Sequence, residues 1–167
     1  MGQVSIRDLM PHYPCKIDPG SISDDALLYP ALADVHSKAD CLDYISNSSK
    51  ELRSDFLNYL LNDYADWTIA GDRNEYLDVG NISAFIVLKV KLQRTSYLEG
   101  IFSRCESLLS LDDRDITEFV VVGLFEGVQN ICGWHGVDYH KGFDSWLGPE
   151  SKRAWDELID FWERKSE

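Results

Sequence analysis

Apolar side chains recur every three or four residues along most of this chain, which is the spacing that places them on one face of an α-helix. The clearest run follows Ser48-x-x-Glu51, a capping-box pattern whose two side chains satisfy backbone N–H groups at a helix start. The run reaches the neighbourhood of Ala70 and stops at Gly71. Its apolar positions are Leu52, Phe56, Tyr59, Leu60, Tyr64 and Trp67. The pattern predicts a long amphipathic helix.

Shorter helices are predicted upstream of this run. Asp24 and Asp25 favour a helix start, because acidic side chains are stabilised at helix N-termini, although Pro30 should kink or divide the segment. The apolar spacing over residues 41–45 indicates a second short helix that ends near Asn47.

Residues 79–94 carry two conflicting patterns. Leu88, Val90 and Leu92 alternate with polar residues, as in a half-buried β-strand, whereas Asn81 is a residue type that caps helices. The length of the segment and its helical neighbours favour a helix.

Two further helices are predicted after this segment. Ser96-x-x-Glu99 is a second capping box and opens a clean apolar stripe. The next helix begins at Asp112 and is apolar nearly all round, which is typical of the central helix of a bundle. Gly123 and Gly127 lie four residues apart in it and would let a neighbouring helix approach closely.

A loop is expected over residues 133–148, and Pro149 stands where a first helical residue should, before a last amphipathic helix. Together the patterns predict an all-α fold: one domain over residues 1–167, since this length fits a single domain. Its bundle of about six or seven helices spans residues 23–165, and an irregular arm rich in proline covers residues 1–22.

The charge balance narrows the choice of partner. The chain carries 29 Asp and Glu residues against 16 Lys and Arg residues, a formal net charge of −13. Phosphate backbones and anionic membrane surfaces would repel such a chain, so neither nucleic acid nor a membrane is expected as a partner. A basic protein is the electrostatic complement.

The sequence also bears on the compartment. Its N-terminus lacks the apolar core of a signal peptide, and no uninterrupted apolar run approaches the roughly 18 residues that span a bilayer. The four cysteines form no CxxC pair; they are Cys15, Cys41, Cys105 and Cys132. Free thiols in a reducing cytosol fit this spacing better than a disulfide framework, so a cytoplasmic protein is expected.

Few residues are candidates for catalysis. His135 and His140 flank Asp138, but their spacing matches no standard zinc pattern. Cys132 lies three positions before His135, and no nucleophile or phosphate-binding motif is present. We therefore expect no enzyme, no cofactor and no metal; a metal-dependent hydrolase that uses the His135/His140 loop is the less favoured alternative.

An acidic stretch with interleaved aromatic residues is the most distinctive feature. It straddles the predicted end of a helix, where negative charge is disfavoured by the helix dipole and helix capping does not explain it. Aromatic anchors surrounded by charge are typical of a high-affinity protein interface. The residues predicted to contact a partner are Asp63, Asp66, Trp67, Asp72, Glu75 and Asp78.

Glu126 interrupts the apolar run of the predicted central helix. A carboxyl group buried there must be paired, hydrogen-bonded or protonated. Two roles remain open for this predicted buried acid: a structural hydrogen bond to a loop or helix end, which is favoured, and a functional contact.

Two segments resemble a known group of proteins: ITEFVVVGLFEGVQNI over residues 116–131, and WLGPESKRAWDELIDFW over residues 146–162. Both are similar to segments of small acidic bacterial proteins, some of which are immunity proteins encoded beside polymorphic toxins. The resemblance implies a chain that binds a cognate toxin or effector domain and blocks its active site or substrate groove. The resemblance assigns no catalytic residues to this chain. A regulatory or adaptor domain that binds another protein is the alternative.

Overall fold

The computed structural model describes residues 5–64 and 73–165. The regular secondary structure in those two ranges is helical, with no strand. It contains six α-helices, which confirms the all-α prediction. They are α1 (Lys38–Ser46), α2 (Lys50–Asp63), α3 (Glu75–Lys91), α4 (Leu98–Leu109), α5 (Arg114–His135) and α6 (Pro149–Lys165).

Several helix starts differ from the predicted ones. Ser49, not Ser48, caps α2, and its hydroxyl accepts a hydrogen bond from the Leu52 N–H. The second predicted capping box is wrong, because a 3₁₀ turn over Thr95–Tyr97 leads directly into α4 without a side-chain cap. Asp113, one residue after the predicted start, caps α5.

The ambiguous segment 79–94 is helical, as favoured, but α3 begins earlier than expected. The Asn74 side chain accepts hydrogen bonds from the backbone N–H groups of Tyr76 and Leu77 and so caps the helix. The alternation at residues 88–92 does not mark one buried face, because Leu88 is buried, Val90 is half-buried and Leu92 is exposed at the end of the helix.

The N-terminal segment was predicted to become helical at residue 23, and this prediction is wrong. Single 3₁₀ turns over Asp25–Leu28 and Leu32–Asp34 replace a helix, and the first α-helix begins only at Lys38. Pro30 lies between the two turns, where its ring cannot continue a helix. The irregular arm is therefore longer than predicted.

Hydrogen bonds from α2 hold this arm against the bundle. The Asn58 Oδ1 atom accepts from the N–H groups of Lys16 and Ile17, each at 2.8 Å. Its Nδ2 atom donates to the Ile17 carbonyl at 2.9 Å, and the Ser54 hydroxyl donates to the same carbonyl at 2.6 Å. Buried polar side chains thus substitute for secondary structure in fixing the arm.

Helices α3 and α5 form the centre of the bundle. As predicted, Gly123 and Gly127 allow the close approach: a Cβ atom on Gly127 would lie 2.8 Å from the Ser83 Oγ atom of α3. Helix α5 widens into a π-helical stretch over Phe119–Phe125, and the Ser83 hydroxyl lies 3.2 Å from the Leu124 carbonyl that it bonds.

Helix α6 packs against the bundle through aromatic side chains. Trp155 is fully buried against the rings of Phe102, Phe125 and Phe143. Its Nε1 atom donates to the Tyr139 carbonyl at 2.7 Å, which ties the α5–α6 loop to the core.

Helix α5 also has the length and composition of a membrane-crossing helix, with a mean hydropathy of 1.2 over its most apolar window, of which 44% is buried. Such apolarity is equally typical of a helix at the centre of a bundle, and α5 packs against α3, α4 and α6.

Candidate functional site

A cleft of about 320 Å³ lies where the N-terminal arm crosses α2 and α3. The arm supplies Asp8, His12 and Tyr13, while α2 supplies Asp55 and also contributes an aromatic wall and part of the rim. Side chains from α3 complete the lining, including Asn81, Ala84, Phe85 and Leu88. The cleft therefore combines an apolar wall with carboxyl groups, which is the composition expected of a ligand pocket.

The Asp55 carboxyl group is the most perturbed acid of this cleft. The Tyr13 hydroxyl donates to its Oδ1 atom at 2.7 Å and the Asn81 amide donates to its Oδ2 atom at 3.1 Å. Burial raises the pKa of Asp55 above its ordinary value, and these hydrogen bonds only partly offset that effect. Burial and the neighbouring Asp55 likewise raise the pKa of Tyr13. Sequence reasoning missed Asp55 because Tyr13 lies 42 positions away in the chain.

Asp78 was predicted to contact a partner, and this prediction is wrong. Its carboxyl group is fully buried and accepts hydrogen bonds from Tyr59 at 3.1 Å and Tyr64 at 2.8 Å. Arg73 forms an ion pair with it at 3.2 Å. Asp78 therefore joins the end of α2 to the start of α3, because one donor from α2 and two from the chain between the helices converge on its carboxylate.

The other predicted contact residues fall into two groups. Asp66, Trp67 and Asp72 lie outside the described residues. Asp63 is exposed at the last position of α2 and lines the rim of the cleft, while Glu75 is half-buried in the first turn of α3. Asp63 thus lines the same cleft as Asp55, which the sequence did not single out.

Exposed apolar side chains lie beside this acidic rim. Leu77 is 67% exposed and stands one turn before Asn81, on the side of α3 that faces the cleft. Met10 on the arm lines the cleft and is 48% exposed. We call this region the α2–α3 surface: Asp8, Met10, Asp55, Asp63 and Leu77.

Glu126 was predicted to be buried, and it is only half-buried, and its carboxyl group makes no hydrogen bond or ion pair to any residue in 5–64 or 73–165. The buried polar residue of α5 is Gln129 instead, whose amide donates to the Trp155 carbonyl at 3.1 Å. The difference arises because the glycine face of α5 turns toward α3, which leaves Glu126 at the edge of the helix.

The histidine loop shows no metal centre within the described part of the chain, where no three His, Cys, Asp or Glu side chains are grouped to hold an ion. His140 stacks on Tyr139 and hydrogen-bonds Glu163 of α6. The Cys132 thiol is buried, and burial raises its pKa to about 12, which disfavours the thiolate that nucleophilic attack requires.

Glu106 of α4 is a further carboxyl group with a defined role. Its two oxygens accept hydrogen bonds from the backbone N–H groups of Glu150 and Ser151, both at 2.8 Å, and so cap α6 from another helix. Burial acts to raise the pKa of Glu106, but hydrogen bonds from these two residues outweigh it and hold the pKa below its usual range. The role of Glu106 is therefore structural.

Comparison with known proteins gives a family. A family described as "Domain of unknown function (DUF7674)" matches residues 42–163. The chain belongs to the DUF7674 family. The match runs from α1 to the last turns of α6, so the family domain includes α2, α3 and the Asp55 carboxyl group, whereas Asp8 and Tyr13 precede it. No curated protein and no solved structure matches the chain.

Proposed function

We propose that this DUF7674 protein is an immunity protein, which binds a basic toxin or effector domain and masks its active site or substrate groove. The proposal rests on the net charge of −13 and on the sequence resemblance of residues 116–131 and 146–162 to immunity-type proteins. A strongly acidic chain attracts a basic domain at long range and so speeds association.

The observation that carries the proposal is the composition of the α2–α3 surface. The exposed Met10 lines the cleft that contains Asp55 and Asp63, and the exposed Leu77 lies one turn before Asn81 on the same face of α3. Apolar anchors with a charged rim are the usual makeup of a protein interface. Asp66, Trp67 and Asp72 follow Asp63 in sequence and remain part of the proposed contact region.

Co-expression tests the function directly. Each open reading frame that flanks the gene is expressed in a bacterial host with and without the DUF7674 chain. We expect one frame to arrest growth alone and to be harmless when the chain is present. Absence of any growth-arresting frame that the chain neutralises would overturn the immunity function.

Association kinetics with the neutralised toxin then locate the interface. The double substitution Asp63→Asn with Glu75→Gln removes one charge from the cleft and one from the first turn of α3, while Asp112→Asn with Asp160→Asn removes two exposed charges, one before α5 and one on α6. Both variants have the same net charge. We expect slower association at low salt for the first pair only, because rim charges act mainly through steering. Equal rates for the two variants would place the interface elsewhere.

A further inference from the structure

We propose that the cleft at Asp55 is a guanidinium-binding pocket, which receives an arginine side chain of the basic partner. This inference rests on the proposed function, since it assigns the part of the toxin that the α2–α3 surface binds. The residues that face the pocket are Asp8, His12, Tyr13, Asp55, Tyr59 and Asp63.

The Asp55 carboxylate has the acceptor capacity that such a ligand needs. Two neutral donors, Tyr13 and Asn81, occupy one position on each oxygen. A carboxylate offers about four acceptor positions, so one position on each oxygen remains for the two parallel N–H groups of a guanidinium.

Asp55 also lacks the cation that a largely buried carboxylate normally has. Among the described residues it makes no ion pair, whereas the buried Asp78 nearby is paired with Arg73. Lys89 of α3 acts on Asp55 only through its longer-range charge, and its ammonium group lies over the Phe85 and Tyr97 rings. A cationic ligand would therefore meet a carboxyl group that no described side chain pairs with directly.

The walls of the cleft suit a planar cation as well. Tyr13 and Tyr59 pack edge to face with ring centroids 6.4 Å apart and both line the cleft. Aromatic walls stabilise guanidinium through cation–π contact, and arginine stacks on rings more readily than lysine. Asp8 and Asp63 at the rim add long-range attraction for a positive side chain.

The geometry of the arm makes the pocket dependent on tertiary contacts. Tyr13 reaches Asp55 only because Asn58 and Ser54 hold residues 16 and 17 against α2. The pocket is thus assembled before any partner arrives, which reduces the ordering cost of binding.

The test uses the free chain and a blocked arginine, Nα-acetyl-arginine-N-methylamide, followed by NMR at the side-chain amide of Asn81 and the ring of Tyr13. Its neutral isostere, Nα-acetyl-citrulline-N-methylamide, has the same shape without the charge. We expect a saturable shift of both signals with the arginine probe and none with the citrulline probe. Equal shifts with both probes, or no saturable shift with either, would overturn the pocket.

A substitution then tests whether the charge of Asp55 binds the arginine probe. Asp55→Asn should weaken binding of the arginine probe about tenfold or more, while Asp160→Asn, the same change on exposed α6, should leave it unchanged. Unchanged binding by a folded Asp55→Asn chain would overturn the proposal. Because the arginine–citrulline comparison uses the unmodified chain, it decides the matter even where Asp55→Asn fails to fold.

The test of the guanidinium pocket and the test of the immunity function can fail independently. The probe titration needs no toxin, so its failure overturns the guanidinium pocket alone. Failure of the co-expression experiment, in contrast, overturns the immunity function and leaves the probe result standing.

Discussion

Asp55 on α2 and Glu106 on α4 each accept two hydrogen bonds, yet the pKa of the first is raised and that of the second is lowered. Burial raises the pKa of both carboxyl groups, and only at Glu106 do the hydrogen bonds outweigh it. Asp55 receives a tyrosine hydroxyl and an asparagine amide across a cleft, whereas Glu106 receives two backbone N–H groups at the start of a helix. A helix N-terminus carries partial positive charge, and neutral side chains do not.

The comparison distinguishes Asp55, whose carboxyl group could bind a ligand, from Glu106, whose carboxyl group caps a helix. Glu106 has its charge compensated by α6, and a Cβ atom on Gly148 would lie 2.6 Å from the Glu106 Cδ atom, so the surroundings leave no room for a ligand. Asp55 borders a cleft of about 320 Å³ and has no cationic partner among the described residues. Equal numbers of hydrogen bonds therefore do not imply equal roles.

The cleft depends most on the contact between α2 and the arm, so Asn58→Ala should have the largest effect. It leaves the N–H groups of Lys16 and Ile17 without their acceptor and should lower the free energy of unfolding by about 2–3 kcal/mol. Urea denaturation measures this. Asn62→Ala, an exposed residue of the same helix, is the matched control and should change stability by less than about 0.5 kcal/mol. Similar values for both would show that the arm is not held by Asn58.

The cap on α6 should contribute less than the arm contact. Glu106→Ala removes the acceptor for two helix N–H groups and should cost about 1–2 kcal/mol. The control is Glu118→Ala, an exposed glutamate of α5, which should lie within about 0.5 kcal/mol of the unmodified chain. Gly148→Ala should mimic the loss, because its Cβ atom displaces Glu106. A Glu106→Ala chain as stable as the Glu118→Ala chain would contradict the capping role.

The two carboxyl groups should affect pH dependence with opposite signs. The folded-state pKa of Glu106 lies below its ordinary value of 4.5, so its stabilisation is present above that pH and is lost as the pH falls. The folded-state pKa of Asp55 lies above its ordinary value of 3.8, so its contribution is present below that pH and is lost as the pH rises through the folded value.

Urea denaturation as a function of pH distinguishes these contributions. Relative to the unmodified chain, Glu106→Gln should be most destabilised above pH 4.5 and less so in acid. Asp55→Asn should instead become relatively more stable as the pH rises above 3.8. Parallel pH profiles for the two variants would remove the distinction between the carboxyl groups.

Glu126→Gln should have the smallest effect. Glu126 is half-buried and its carboxyl group makes no hydrogen bond or ion pair with the residues that the structure describes, so stability should change by less than about 0.5 kcal/mol. Thermal unfolding provides the measurement, with Gln129→Ala as the contrasting change that leaves the Trp155 carbonyl without its donor. A large loss for Glu126→Gln would mean that a third carboxyl group acts as Glu106 does.

The sequence predicted individual helices better than their ends. The apolar spacing from Leu52 to Trp67 identified α2, but this helix ends at Asp63 and not near Ala70 as predicted. The glycine pair at 123 and 127 correctly indicated a close helix contact. The predicted caps failed at Ser48 and Ser96, because Ser and Thr near a helix start are common and backbone geometry selects which residue caps. The predicted helix after residue 23 failed because Pro30 divides that segment too early for a stable helix.

The site residues show more clearly what sequence patterns cannot predict. Asp63 was identified as part of an acidic stretch, because local charge can be read from the sequence. The same stretch included Asp78, whose carboxyl group is buried and accepts from three donors. Asp55 was missed because its partners Tyr13 and Asn81 are 42 and 26 positions away.

The sequence alone therefore determined the helical class, the positions of most helices and the acidic character of the surface, all of which follow from short-range periodicity and residue counts. Only the tertiary structure decided which acids are exposed, paired or left without a cation. Those properties depend on contacts between residues far apart in the chain: the arm laid against α2 forms the cleft at Asp55, and α4 laid against α6 makes Glu106 a helix cap.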